Sequence, residues 1–184
     1  TDDWPGDVAE DAPTDVPLPA DTCFGPTVAA VDNAGVPAGF CAWTWAADLS
    51  APRGIEVASN GDVLVGERGG SRITVLFDSD GDGVSGPGER APLASASGLN
   101  HGIAIHEGSL YASSAATVFR WPYAPGDRAD LGSPETVVRD IPSGGHSTRT
   151  LAFDDAGRLY VSVGSGGNVD PDSSRARVRR FDLS

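Results

Sequence analysis

Apolar residues in this chain fall into short runs separated by polar turns, and the runs recur at a fixed spacing. The segments PRGIEVASNGDVLVGERGGSRITVLFD from Pro52, NHGIAIHEGSLYASSAATVFRWPY from Asn100 and TRTLAFDDAGRLYVSVGSGGNVDPDSSRARVRRFDL from Thr148 share one pattern. Each has a first apolar run, beginning at positions 55, 103 and 151, so both intervals are 48 residues. A tight turn follows in each (SNGD, HEGS, DDAGR), of the Asn-Gly and Ala-Gly kinds that suit hairpins. Second strands are predicted at 63–65, 110–112 and 159–161, and third strands at 73–77, 117–121 and 177–181. Fourth strands are predicted at 91–94 and 135–139. No stretch shows helical periodicity.

Four short antiparallel strands at a period in the forties describe a blade of a β-propeller. A β-sandwich, the runner-up, has no reason to repeat at a fixed interval. The expected fold is all-β, a partial β-propeller over residues 23–184. Residues 45–184 hold about three blades, whereas propellers close with about four to eight. The third repeat stops after its third strand, which reads as the first half of a longer protein whose missing blades would be its partners. An open half-ring exposes a blade face and strand edges, so association or aggregation is expected of it.

Charge separates off the first part of the chain. Residues 1–22 carry seven acidic residues and no basic one, with Pro5, Pro13, Pro17 and Pro19 among them. Such a segment cannot bury enough apolar surface to fold alone and reads as a solvated leader or tether. The whole chain has 26 acidic against 13 basic residues, all of them Arg, for a net charge of −13. Such an acidic chain is a poor candidate for binding nucleic acid or an anionic membrane, since both need a basic face. No apolar run approaches the length of a membrane span. Cys23 and Cys41 flank a short loop just after the leader. A disulfide in an oxidising compartment is one reading, two buried thiols the other. The first implies a secreted, periplasmic or cell-surface protein.

The 48-residue offset puts Arg53, His101 and Arg149 in one register, each two residues before an innermost strand. In a propeller those positions converge on one end of the central channel. His146 lies three residues before Arg149, and Gly102, Gly144 and Gly145 allow close approach to the backbone. A ring of Arg and His suits a planar, polyanionic ligand, because Arg offers forked donors to carboxylates. The alternative is that these side chains cap strand starts facing water. Histidine is the side chain that exchanges a proton near neutrality, which makes His146 the candidate base. His106, in the HEGS turn, is expected to be a solvated turn residue.

Residues 78–89, DSDGDGVSGPGE, follow a calcium-loop pattern. Asp78, Asp80, Asp82 and Glu89 occupy positions 1, 3, 5 and 12, Gly83 permits the sharp turn at 6, and Val84 would offer its carbonyl from 7. Flanking helices are missing, so a structural, calcium-stapled hairpin between the third and fourth strands is expected. An Asp/Gly turn without metal is the alternative.

With these residues in view, the chain resembles the soluble quinoprotein dehydrogenases of the sorbosone and glucose dehydrogenase family. The resemblance runs from about Leu49 to Ser184 and rests most on GGHSTRTLAFDDAGRLYVSVGSGGN, then on the DSDGDG loop, GLNHGIAIHEGSLYAS and PRGIEVASNGDVLVGER. It implies a six-bladed propeller that binds pyrroloquinoline quinone (PQQ) and oxidises a sugar or related alcohol, passing electrons to an acceptor. It implies that His146 takes the hydroxyl proton, that Arg149 assists, and that Arg53, His101, Arg149 and Asn168 face the cofactor. A further Ca²⁺ and other cofactor ligands would come from later blades, so this chain alone is expected to be inactive. Two other readings stay open. One is a noncatalytic binding propeller of the NHL or low-density-lipoprotein-receptor kind. The other is a gluconolactonase-like hydrolase, for which Glu56 and Asn100 are the candidate metal ligands.

Overall fold

The computed structural model describes residues 42–183. The acidic leader and both cysteines, Cys23 and Cys41, lie outside the described residues. Eleven strands form three antiparallel sheets, and the described residues contain no helix. The first sheet is β1 (Pro52–Val57), β2 (Val63–Glu67), β3 (Arg72–Leu76) and β4 (Arg90–Ser95), paired in that order. The second repeats the order with β5 (Ile103–His106), β6 (Ser109–Ser113), β7 (Val118–Pro122) and β8 (Glu135–Val138). The third holds β9 (Leu151–Phe153), β10 (Leu159–Val163) and β11 (Arg177–Phe181). The first strands lie side by side, β1 against β5 and β5 against β9. These are three successive blades of a β-propeller.

The repeat extends below the level of strands. Both four-stranded sheets shift register between third and fourth strand, at Ile73/Thr74 and at Val118/Phe119. The hairpin turns bend where the sequence placed glycine, with Gly61 at φ 92°, Gly108 at 71° and Gly157 at 73°. Pro92 sits on β4, at a sheet edge where its missing N–H costs no internal ladder bond.

Two apolar layers hold the blades together. Leu64, Ile73, Val75 and Leu93 of the first sheet meet Ile103, Leu110, Ala112 and Trp121 of the second. Tyr111, Val118 and Val138 of the second meet Leu151, Leu159 and Val161 of the third. Alternation along β6 explains both layers, since Leu110 and Ala112 face one way and Tyr111 the other. Trp121 is fully buried and gives its indole N–H to the Gly132 carbonyl, 3.1 Å away. The outer faces lack such cover: Ile55 and Val57 on β1 and Val178 on β11 are each more than 60% exposed.

Polar contacts cross the same seams. Asp62, in the β1–β2 turn, accepts two hydrogen bonds from Arg128 of the second blade, at 2.7 and 3.1 Å. The Arg128 guanidinium also lies 3.6 Å over the Phe77 ring. His106 departs from expectation. It ends β5 and stacks flat on Phe153 of the next blade, centroids 4.2 Å apart, so it packs at a seam and is not a solvated turn residue. Among the described residues no helix is long and apolar enough to cross a membrane.

Near the axis the blades approach backbone to backbone. A Cβ on Gly54 would lie 1.9 Å from the His101 carbonyl oxygen, and one on Gly102 would lie 2.3 Å from that of Arg149. Glycine is therefore required at both positions, whatever the sheet propensity of larger residues. Thr150 occupies the matching place in the third blade and is exposed. Gly102→Ala is expected to destabilise the chain by about 1–3 kcal/mol, the usual cost of overpacking a tight interior. Gly88→Ala, where a Cβ would meet nothing within 4 Å, is expected to change stability by no more than about 0.5 kcal/mol. Urea unfolding of the two variants checks the contrast.

Candidate functional site

The candidate residues meet at one rim, where the chain passes into the innermost strands. Arg53, at the start of β1, is exposed, His101 before β5 is half-buried, and His146 before β9 is exposed. Arg149 departs from the expected ring. Its side chain is fully buried. Nε donates to the Ala115 carbonyl at 3.0 Å, Nη1 to those of His146 and Thr148 at 3.0 and 2.7 Å, and Nη2 to that of Pro142 at 2.6 Å. Four of its five N–H donors are thus engaged, and the group holds the rim together from within. Burial, and after it the charges of Arg175 and Arg179, lower its pKa. Arginine nonetheless stays protonated in proteins, so a cation is enclosed here. Carbonyl dipoles compensate it in place of a carboxylate.

The His146 loop is fitted against the loop that follows β10. The His146 N–H donates to the Ser165 carbonyl at 2.9 Å. Gly145, at φ 57°, lies so near Gly166 that a Cβ would reach 2.3 Å from its oxygen. Gly164 is similarly close, its Cβ position being 2.5 Å from the His146 oxygen. Asn168 is exposed in this second loop, two residues beyond Gly166.

Two further residues reach the His146 loop without having been singled out as its partners. Asn100 is buried and donates from Nδ2 to the Ser147 carbonyl at 3.1 Å, while its Oδ1 has no partner among the described residues. Arg175 donates to the carbonyls of Ser143 and Gly144. Adjacency in the NHG triplet hinted at Asn100. No sequence signal marks Arg175, which lies more than thirty residues from the carbonyl of Gly144 that it binds. Glu56, the other candidate for a hydrolase metal, accepts the Ile105 N–H at 3.5 Å across the first seam.

The DSDGDG loop joins β3 to β4, away from the inner strands. Asp78, Asp80, Asp82 and Glu89 each bring a carboxylate oxygen within 4.8 Å of the others. Ligands at 2.3–2.6 Å from one Ca²⁺ stand at most about 5 Å apart, so four oxygens this close suit one ion. Asp78 also accepts the N–H groups of Gly81 and Gly83, at 2.7 and 3.0 Å, which curls the loop around its own carboxylates. Val84 is half-buried and donates its N–H to Asp82 at 2.9 Å. The loop is tied to the preceding segment, since Trp43 donates its indole N–H to the Gly83 carbonyl and Ser85 its N–H to that of Trp45, at 3.0 and 2.7 Å.

Glu89 carries the clearest electrostatic signature of this loop. Its carboxylate accepts the Ser79 hydroxyl, the Gly86 N–H and the Ser79 N–H, which together lower its pKa from 4.5 to about 2. A carboxylate whose folded pKa is depressed stabilises the fold at pH values above its unfolded pKa, and that stabilisation fades as pH falls through the folded one. The ordering effect of Glu89 is therefore complete above about pH 4.5 and lost toward pH 2. Near-UV circular dichroism, reporting on Trp43 and Trp45, is expected to show a transition in that window that Glu89→Gln removes.

Comparison with known proteins gives the same architecture a family. A PQQ-dependent sugar dehydrogenase of Hypocrea jecorina is 35% identical over 147 residues, which cover 74% of this chain and 34% of that protein. A calcium structure of a family AA12 carbohydrate-active enzyme from Trichoderma reesei superposes with a TM-score of 0.66 at 30% identity, covering 77% of this chain and 37% of that one. The holo form of the PQQ domain of pyranose dehydrogenase from Coprinopsis cinerea gives a TM-score of 0.65 at 29% identity, over 76% and 35%. This chain thus spans about a third of the length of the Hypocrea relative. The family model described as TrAA12-like matches residues 34–184, and the chain belongs to that family.

Proposed function

We propose that this chain carries part of the site for PQQ-dependent oxidation of a sugar, with Ca²⁺ in the DSDGDG loop as a structural ion. The observation that carries the reading is the rim itself, where Arg53, His101 and His146 stand at the entries to three adjacent innermost strands, on backbone that only glycine permits. The relatives support it, since their names describe sugar and pyranose oxidation with PQQ. Two features of the rim fit a flat, carboxylated ligand. Arg53 and His101 offer donors, and Gly54 and Gly102 draw the blades close. Arg149 adds no donor to that ligand, because its guanidinium is engaged within the rim.

PQQ bound at the rim would supply an oxidant able to accept a hydride from the carbon bearing the substrate hydroxyl. His146 would take the hydroxyl proton on its imidazole nitrogen, and Arg53 and His101 would hold the carboxylates. Arg149 would act through His146 by fixing the loop from which the imidazole projects. An extracytoplasmic location is part of the proposal and is supported by the pair Cys23 and Cys41. The electron acceptor is a separate partner.

Saturable binding of PQQ by this chain, followed by absorbance, is expected to weaken at least about tenfold in Arg53→Ala. Dye-linked oxidation of pyranoses, where present, is expected to disappear in His146→Ala. Binding unaffected by Arg53→Ala, or none at millimolar PQQ, would leave a noncatalytic binding propeller as the better account. For the ion, Ca²⁺ is expected to raise the melting temperature of the wild type and not of Asp80→Ala. Terbium luminescence excited through Trp43 and Trp45 offers a direct check on the same loop.

A further inference from the structure

The His146 loop has little of its own to keep it in one shape. It contains Gly144 and Gly145, both at positive φ, and its residues 143–146 are exposed. Packing cannot order such a segment, because it presents no apolar side chain to a core. Its order comes through the backbone, and mostly through carbonyls. Of the seven carbonyls from Pro142 to Thr148, six accept a side-chain hydrogen bond. Arg149 takes those of Pro142, His146 and Thr148, Asn100 takes Ser147, and Arg175 takes Ser143 and Gly144.

Arg149 and Asn100 are buried beneath the loop, whereas Arg175 reaches it from the segment after β10, its side chain 14% exposed. Its share covers Ser143 and Gly144, whose carbonyls the other two leave untouched. Arg175 is itself set by Asp172, which accepts Nε at 3.2 Å and the Ser174 N–H at 2.8 Å. Asp170 in turn accepts the N–H groups of Gly166 and Asp172 and shapes the segment that carries both. One guanidinium thus spans a carboxylate on one loop and two carbonyls on the other, which demands a planar fork and not merely a positive charge.

We propose that Arg175, oriented by Asp172, is a positioning residue for His146, fixing the loop that carries the imidazole. What His146 does rests on the function proposed above, whereas the fixing of the loop does not. Hydrogen exchange over residues 143–149 tests it directly. In Arg175→Gln the His146 amide is expected to exchange at least about tenfold faster, with the blade strands unchanged. Arg175→Lys, which keeps the charge without the fork, is expected not to restore protection. Asp172→Asn is expected to give a smaller change in the same amides and keeps the test decisive should Arg175→Gln not fold. PQQ affinity, measured in parallel, is expected to fall about fivefold in Arg175→Gln. Unchanged exchange of the loop in both Arg175→Gln and Asp172→Asn would overturn the proposal. Faster exchange in a chain whose wild type binds no PQQ would uphold the positioning role and sink the functional reading instead.

Discussion

A buried guanidinium facing backbone oxygen is the interaction on which the rim of this molecule depends. Arg149 lies in the seam between the second and third blades, and taking its charge out of water is unfavourable unless every donor is met. The fold meets four of the five donors with carbonyls from two blades, Ala115 on one side and Pro142, His146 and Thr148 on the other. The seam and the loop therefore hold each other. Without the loop the cation would keep only the Ala115 carbonyl, and without the cation three loop carbonyls would lose the donor that fixes them. Glycine makes the arrangement possible, because the Arg149 carbonyl can sit where Gly102 has no Cβ.

The two halves of the candidate chemistry are built on different principles. The DSDGDG loop is local, with its carboxylates gathered within twelve residues and curled by their own hydrogen bonds to backbone N–H groups. The rim is nonlocal, and its parts come from the starts of three strands, 48 residues apart, together with the loop after β10. Local sites tolerate distortion elsewhere in the fold, whereas the rim inherits every error in how the blades stack. Apolar layers such as Leu64 against Leu110 and Tyr111 against Leu159 are thus part of the site's geometry.

This difference explains what could be read from sequence. The strands were legible because period-two runs and Gly turns recur, and the third sheet of β9, β10 and β11 follows the predicted pattern closely. The four carboxylates were legible because their spacing carries their geometry. Arg149 was not, since a repeat offset aligns backbone positions while saying nothing of where a side chain turns. Arg53 holds the same register yet is exposed, lining an open cavity with Trp43, Trp45 and Ile55, whereas residues 142–148 fold over Arg149. His106 was misread for a related reason: the ring of Phe153 that stacks on it arrives from the next blade. Arg175 left no trace of its reach, as its partners on the His146 loop are backbone atoms and any sequence supplies those.

The six engaged carbonyls have a further consequence. A trans peptide is planar, and its N–H points opposite to its C=O. Drawing the oxygens of Pro142, Ser143, Gly144, His146, Ser147 and Thr148 toward side-chain donors therefore turns the N–H groups that follow them the other way. Each of these six peptide planes is thereby held in its own direction, some from beneath by Arg149 and Asn100 and some by Arg175 from the loop after β10. The N–H groups of residues 143, 144, 145, 147, 148 and 149 are thus set in direction before any ligand arrives, a preorganisation supplied by the backbone itself.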